Sequence, residues 1–260
     1  MNTKIVRYIL CRMLGVEAAL LLVPVLVAVI YQEKCGIVFL IPIVILCLLF
    51  WVVGRKRPEH GQIYGKEGMV IVALAWILWS LFGAMPFTLS GYIPSYVDAF
   101  FETVSGFTTT GSSIIPDVEV LPHCLLFWRS FTHWIGGMGV LVFVLVVTSL
   151  DRKNSMHLMR AEVPGPEKDK LVPKAMSTAR ILYGMYLTLT VIEMVFLVIG
   201  GMNLFDSMIF SFGSAGTGGF SNYADSVAHF NSAYIDGVIT VFCALFGVNF
   251  ALFYFMILGD

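Results

Sequence analysis

The chain has 260 residues, of which 58% are apolar and only 13% charged, with a formal net charge of −1. Soluble domains carry about a quarter charged residues, so the composition excludes an ordinary soluble fold and points to an all-α integral membrane protein. The near-neutral net charge says little, because charge in such a chain is sorted by side rather than summed; no nucleic-acid partner is expected.

Taken in chain order, the basic start from Met1 to Arg12 precedes an apolar run and superficially resembles a signal peptide. The run 13–31 is as long as a full span and no small-residue cleavage site follows it, so a retained helix is expected. Further spans are expected at 36–53, 69–86, 124–149, 181–201 and 233–258, each near the roughly 20 residues that a hydrocarbon core requires. The basic residues set the orientation. Lys4, Arg7 and Arg12 precede the first span, Arg55, Lys56, Arg57 and Lys66 follow the second, and seven more lie between 151 and 180. Together they place 14 of the 16 Lys and Arg on one side, which the positive-inside rule makes cytoplasmic. Both termini are then cytoplasmic. The other face carries Glu33, Asp98, Glu102, Asp117, Glu119, Asp206, Asp225 and Asp236, an acidic field that attracts cations. The five cysteines form no CxxC pair and are read as small buried hydrophobes.

Two apolar segments are too short to cross. Residues 95–107 and 203–213 each reach about half the membrane thickness as a helix, and each runs into a polar stretch. The first is Thr108-Thr109-Thr110-Gly111-Ser112-Ser113 and the second is Gly216-Thr217-Gly218-Gly219-Phe220-Ser221. Aligning Asp98 with Asp206 without gaps lays Thr109-Thr110-Gly111 over Thr217-Gly218-Gly219. The order span, short helix, glycine-rich strand, span therefore occurs twice, and a repeated supersecondary unit is an architectural signal. Polar backbone at membrane depth is tolerated only inside protein or along a watery path. A potassium ion exchanges its hydration shell for backbone carbonyls, and glycine reaches the backbone angles this demands without steric cost. The short helix would aim its partially negative C-terminal end at the ion.

Other residues carry competing readings. Gly136-Gly137-Met138-Gly139 reads as a close helix-packing surface or a hinge. Arg129 is expected to face protein or the interface. Glu193, within a span, is a functional candidate or a hydrogen-bonded structural carboxylate. His133 and His229 are read as structural. Ser214, in Gly213-Ser214-Ala215-Gly216, faintly resembles a hydrolase nucleophile turn without triad partners.

These residues together resemble the Trk/Ktr/HKT family of potassium transporters, in its TrkH-type branch. The likeness rests on Trp76 with Gly83-Ala84-Met85-Pro86-Phe87, on the run from Phe101 to Gly111, and on the run from Trp128 to Gly139. It extends to Ala161-Glu162-Val163-Pro164-Gly165-Pro166, Thr217-Gly218-Gly219-Phe220-Ser221 and Gly247-Val248-Asn249-Phe250. The resemblance implies two leading transmembrane helices (1–66) and a first helix–pore loop–helix unit (67–152). A cytoplasmic linker (153–180) and a second unit (181–260) follow. It implies potassium uptake across the inner (cytoplasmic) membrane, a symport-type ion transport, with Thr109, Thr110, Gly111, Thr217, Gly218 and Gly219 supplying K⁺-coordinating groups. No enzyme activity and no organic cofactor are expected. The implied partners are membrane lipid, a second copy in a homodimer, and a cytoplasmic nucleotide-binding regulatory subunit of the RCK type, contacted by the basic loop 151–180. Family members carry four such units and this sequence carries two, ending at Gly259-Asp260. A non-conducting truncated fragment or assembly partner is therefore the alternative reading.

Overall fold

A computed structural model describes residues 2–55, 65–139, 175–250 and 252–253. Its regular structure is helical. Among the described residues four stretches are long and apolar enough to cross a membrane, namely Thr3–Ile30, Lys34–Gly54, Lys66–Leu89 and Arg180–Ile199.

The leading pair consists of α1 (Thr3–Leu20) with α2 (Leu22–Ile30), and α3 (Leu40–Leu49) flanked by a 3₁₀ turn (Lys34–Phe39) and a π turn (Phe50–Gly54). Proline explains two irregularities. Pro24 offers no N–H to Leu20 and crowds its carbonyl, and the helix breaks at Leu21. Pro42 does the same to Val38, inside the 3₁₀ turn. The first span starts at Thr3 rather than near Met13. One face of α1 (Ile5, Val6, Ile9, Met13) is buried in the bundle while Lys4 and Arg7 stay outside, so packing extends the helix past its purely apolar run.

Two runs of helices with matching lengths follow. The first is α4 (Gly65–Leu89, 25 residues), α5 (Tyr96–Phe107, 12 residues) and α6 (His123–Gly137, 15 residues). The second is α7 (Ala175–Ile199, 25 residues), α8 (Leu204–Ala215, 12 residues) and α9 (Ala233–Gly247, 15 residues). The expected spans 124–149 and 233–258 do not run as single helices: α6 ends at Gly137, with Gly139 at φ +76°, and α9 ends at Gly247, with Val248 extended. Both breaks fall at glycine, which carries no helix-favouring side chain, and the expected linker 153–180 lies almost wholly outside the described residues. The basic loop 151–180 is outside them too, apart from the start of α7.

Aromatic rings lock the first run to the leading pair. Phe107 packs edge-on against both Trp79 and Trp128, with centroids 5.6 and 6.1 Å apart, and Phe39 meets Trp128 at 6.5 Å. The Trp128 indole N–H donates to the Gly83 carbonyl at 2.9 Å, so its polar atom is satisfied where it is fully buried. On the other side of α6, Trp134 donates to Thr190 and its carbonyl accepts from the Tyr186 hydroxyl at 2.8 Å. The apolar side chains left exposed, such as Val29, Ile37, Trp51 and Val195, lie on the long helices, where hydrocarbon is the natural solvent.

The leading pair is also clamped on its connecting loop. α6 begins after Pro122, which has no side-chain acceptor for the first amides. Glu33 supplies one from 90 residues away. Its carboxylate accepts the His123 amide at 2.7 Å, the Cys124 amide at 3.0 Å and the His123 ring at 2.9 Å.

Candidate functional site

α5 and α8 are half-length helices built alike. Ser95 caps α5 by accepting from the Asp98 amide, and Asn203 caps α8 by accepting from the Asp206 amide. An acidic residue thus stands in each first turn, where the helix dipole favours it. The C-terminal ends match bond for bond. Thr108, Thr109 and Thr110 donate backbone N–H groups to Val104, Gly106 and Ser105. Gly216, Thr217 and Gly218 donate to Phe212, Ser214 and Gly213, the residues 108 positions later in every case.

Beyond each helix the backbone alternates in hand. φ is +55° at Thr109 and +79° at Gly111, and +54° at Thr217 and +81° at Gly219, while Thr110 and Gly218 between them keep a non-positive φ. Alternation of right- and left-handed residues turns successive peptide groups toward the same side, whereas a strand alternates them. A left-handed threonine is disfavoured, and it occurs here twice at equivalent positions.

The six residues predicted for ion coordination are brought together in two adjoining segments. Thr110, Thr217 and Gly219 are exposed, and Thr109, Gly111 and Gly218 partly so. A Cβ at Gly111 would strike the Gly218 carbonyl, and one at Gly218 would lie 2.8 Å from the Thr109 carbonyl oxygen. The carbonyl-bearing backbones of the two segments therefore meet directly, which a side chain on either glycine would prevent.

Behind them, α6 is a wedge. Gly136 lies against the Phe107 carbonyl, and Gly137 lies against the Ala215 carbonyl, 2.9 Å from the place a Cβ would take. The packing reading of Gly136-Gly137 is the one observed. Arg129, 4% exposed, faces protein as expected. Its Nε donates to Glu102 at 2.6 Å, its Nη1 to the Ser221 carbonyl at 2.9 Å, and its guanidinium lies 3.6 Å from the Phe220 ring centroid. Glu102 also accepts the Ser113 hydroxyl at 3.0 Å and the Ile114 amide at 2.9 Å. One ion pair thus ties the chain just beyond the first segment to the chain just beyond the second. Asp206 does the related work on the second segment, accepting the Asn222 side chain at 2.6 Å and the Tyr223 hydroxyl at 3.0 Å. Burial, that bond to Asp206 and the Glu119 charge push the Tyr223 hydroxyl up to about 12.

The acidic-face reading is corrected at these two positions. Glu102 and Asp206 are buried and spent on bracing the loops rather than on an outer field. The signal was available, since a carboxylate inside an apolar half-helix needs a partner, but no local spacing names Arg129, 27 residues on. Glu193 is buried within α7, with its carboxyl against Ser214 of α8, in keeping with a structural carboxylate. Ser214 also adjoins Cys243. His229 stacks on Tyr223 at 3.6 Å. All five cysteines are free; Cys11 and Cys124 are buried, Cys35 and Cys243 partly so, and Cys47 is exposed. Among the described residues no His, Cys, Asp and Glu cluster has metal-ligand geometry.

This geometry coincides with what the chain is similar to. Residues 36–259 match the TrkH family of cation transport proteins. The chain belongs to that family. The potassium uptake protein TrkH of the Trk system of Escherichia coli K12 is 36% identical over 92% of this chain and 50% of its own length. The related TrkG protein of the same organism is 35% identical over 99% of this chain and 54% of its own length. The crystal structure of the potassium transporter TrkH from Vibrio parahaemolyticus superposes with a TM-score of 0.77 at 30% identity. That superposition covers 93% of this chain and 49% of the other. The chain spans about half the length of these relatives. They are named for uptake and transport, not for an enzymatic reaction.

Proposed function

We propose that this chain carries potassium inward across the cytoplasmic membrane, and that Thr109-Thr110-Gly111 and Thr217-Gly218-Gly219 are two segments of a backbone-carbonyl selectivity filter. The observation that carries this reading is the doubled alternation of backbone hand at Thr109/Gly111 and Thr217/Gly219, each at the C-terminal end of a half-length helix. Carbonyls turned to one side replace hydration oxygens, and the helix ends add negative potential at the same place. On this reading residues 1–66 are the leading helices and 67–152 and 181–260 are helix–pore loop–helix units. The segment 153–180 is then a cytoplasmic linker. Both termini face the cytoplasm, where the basic residues gather.

The relatives' names support potassium as the ion. Lipid surrounds the exposed apolar faces, a second copy pairs with the chain by two-fold symmetry, and a nucleotide-binding regulatory subunit of the RCK type docks on the basic linker. Coupling to a second ion makes the transport a symport.

The test is growth of a potassium-uptake-deficient strain at low potassium. Wild-type chain should restore growth and rubidium uptake, and Gly111→Asp should abolish both, since that side chain would meet the Gly218 carbonyl and place a charge in the path. A chain that reaches the membrane and never restores uptake overturns the proposal.

A further inference from the structure

Residues four apart on one α6 face point at the second loop. These are Arg129 against Phe220 and Ser221, Gly137 against Ala215 and Gly216, and between them His133. The His133 ring is fully buried, and neither of its nitrogens has a hydrogen-bond partner. It packs on Phe220 with centroids 4.1 Å apart. The place where a side chain on Gly218 would begin is taken by His133 Nε2, with Cδ2 only 2.6 Å from it. The Thr109 carbonyl oxygen reaches to 2.8 Å of the same place.

Gly218 does not have the positive φ that demands glycine, so contact rather than backbone angle excludes a side chain there. Its counterpart in the first segment is Thr110, which carries a full side chain and bonds Thr108 through its hydroxyl at 2.8 Å. The second segment therefore lacks a threonine that the first one has, and an imidazole from the preceding unit fills the space.

We propose that His133 is a positioning residue for ion selection, its ring standing in for the missing side chain at position 218 and fixing the second filter segment against the Thr109 carbonyl. An unpaired buried nitrogen is costly to keep, and an apolar residue would fill the space without that cost. What a planar imidazole adds is a rigid edge with a polar atom beside filter backbone. The inference rests on the proposed conduction path.

Two measurements test it separately. In uptake assays with a functional wild-type control, His133→Ala should lower potassium-over-sodium discrimination about tenfold, mostly through the potassium KM, as expected for a loosened ion fit. His133→Gln, which keeps a planar polar group, should recover most of the discrimination. Wild-type discrimination in His133→Ala overturns the proposal. The second measurement needs no transport. In detergent, Gly218→Ala should lower the melting temperature of the chain, and the drop should be smaller in a His133→Ala background because the ring is gone while the Thr109 contact is common to both. Equal drops overturn the bracing role. Absence of uptake by wild-type chain, with unequal drops, counts against the conduction reading and leaves the bracing supported.

Discussion

Glu102 and Arg129 show how much rests on single side chains at the centre of this protein. A buried ion pair is not stabilising merely because it is charged, since desolvation offsets the attraction. What it supplies here is a fixed geometry, because the carboxylate also holds Ser113 and Ile114 and the guanidinium also holds the Ser221 carbonyl. Removing one partner leaves a buried charge alone, which costs about 3–5 kcal/mol. We therefore expect Arg129→Gln and Glu102→Gln each to destabilise the chain by that order in detergent unfolding, and the double substitution to cost clearly less than their sum. Additive losses would show that the two do not act as a pair. Of this node the sequence displayed only the two charges in apolar surroundings. Their partnership across an intervening loop came from the fold.

At the scale of elements, the half-length helices and their glycine-rich ends were legible because length, capping residues and glycine placement are local properties. The same caps, Ser95 and Asn203, and the same bonds at Thr108–Thr110 and Gly216–Gly218 recur 108 residues apart. The capping of α6 was not legible, because its acceptor is on another element. Burial alone raises the Glu33 carboxyl, but the hydrogen bonds from the Cys124 and His123 amides and the His123 ring outweigh it, and the net shift is downward from the ordinary value of 4.5. A lowered carboxyl stabilises the fold fully above its unfolded pKa and loses that contribution as pH falls through the folded value. The loop clamp should accordingly hold at neutral pH and weaken below about pH 4.5. Glu33→Gln should lower stability at pH 7 by about 1 kcal/mol, the usual worth of a helix cap, and should flatten the acid limb of the melting-temperature profile. An unchanged acid limb in that variant would assign the pH dependence elsewhere.

For the molecule as a whole, the charge pattern makes a topological statement that labelling can check. With the native cysteines replaced, Ser112→Cys on the exposed end of the first segment should react with a membrane-impermeant maleimide in intact cells. Arg55→Cys, on the basic side, should react only after permeabilisation. The reverse pattern would invert the proposed orientation.

By itself the sequence determined that this chain has the long apolar helices of a membrane protein, where four of its six expected spans run, and that two short segments with glycine-rich ends break the pattern. These follow from composition, apolar length and residue type, all of which act within a few turns of chain. Only the tertiary structure decided that α6 is a wedge touching both glycine-rich segments, that Glu102 and Arg129 join them, that Glu33 caps a distant helix, and that His133 fills the space at Gly218. Each of those depends on which surfaces meet after folding, and contact between residues far apart in the chain leaves no local period to read.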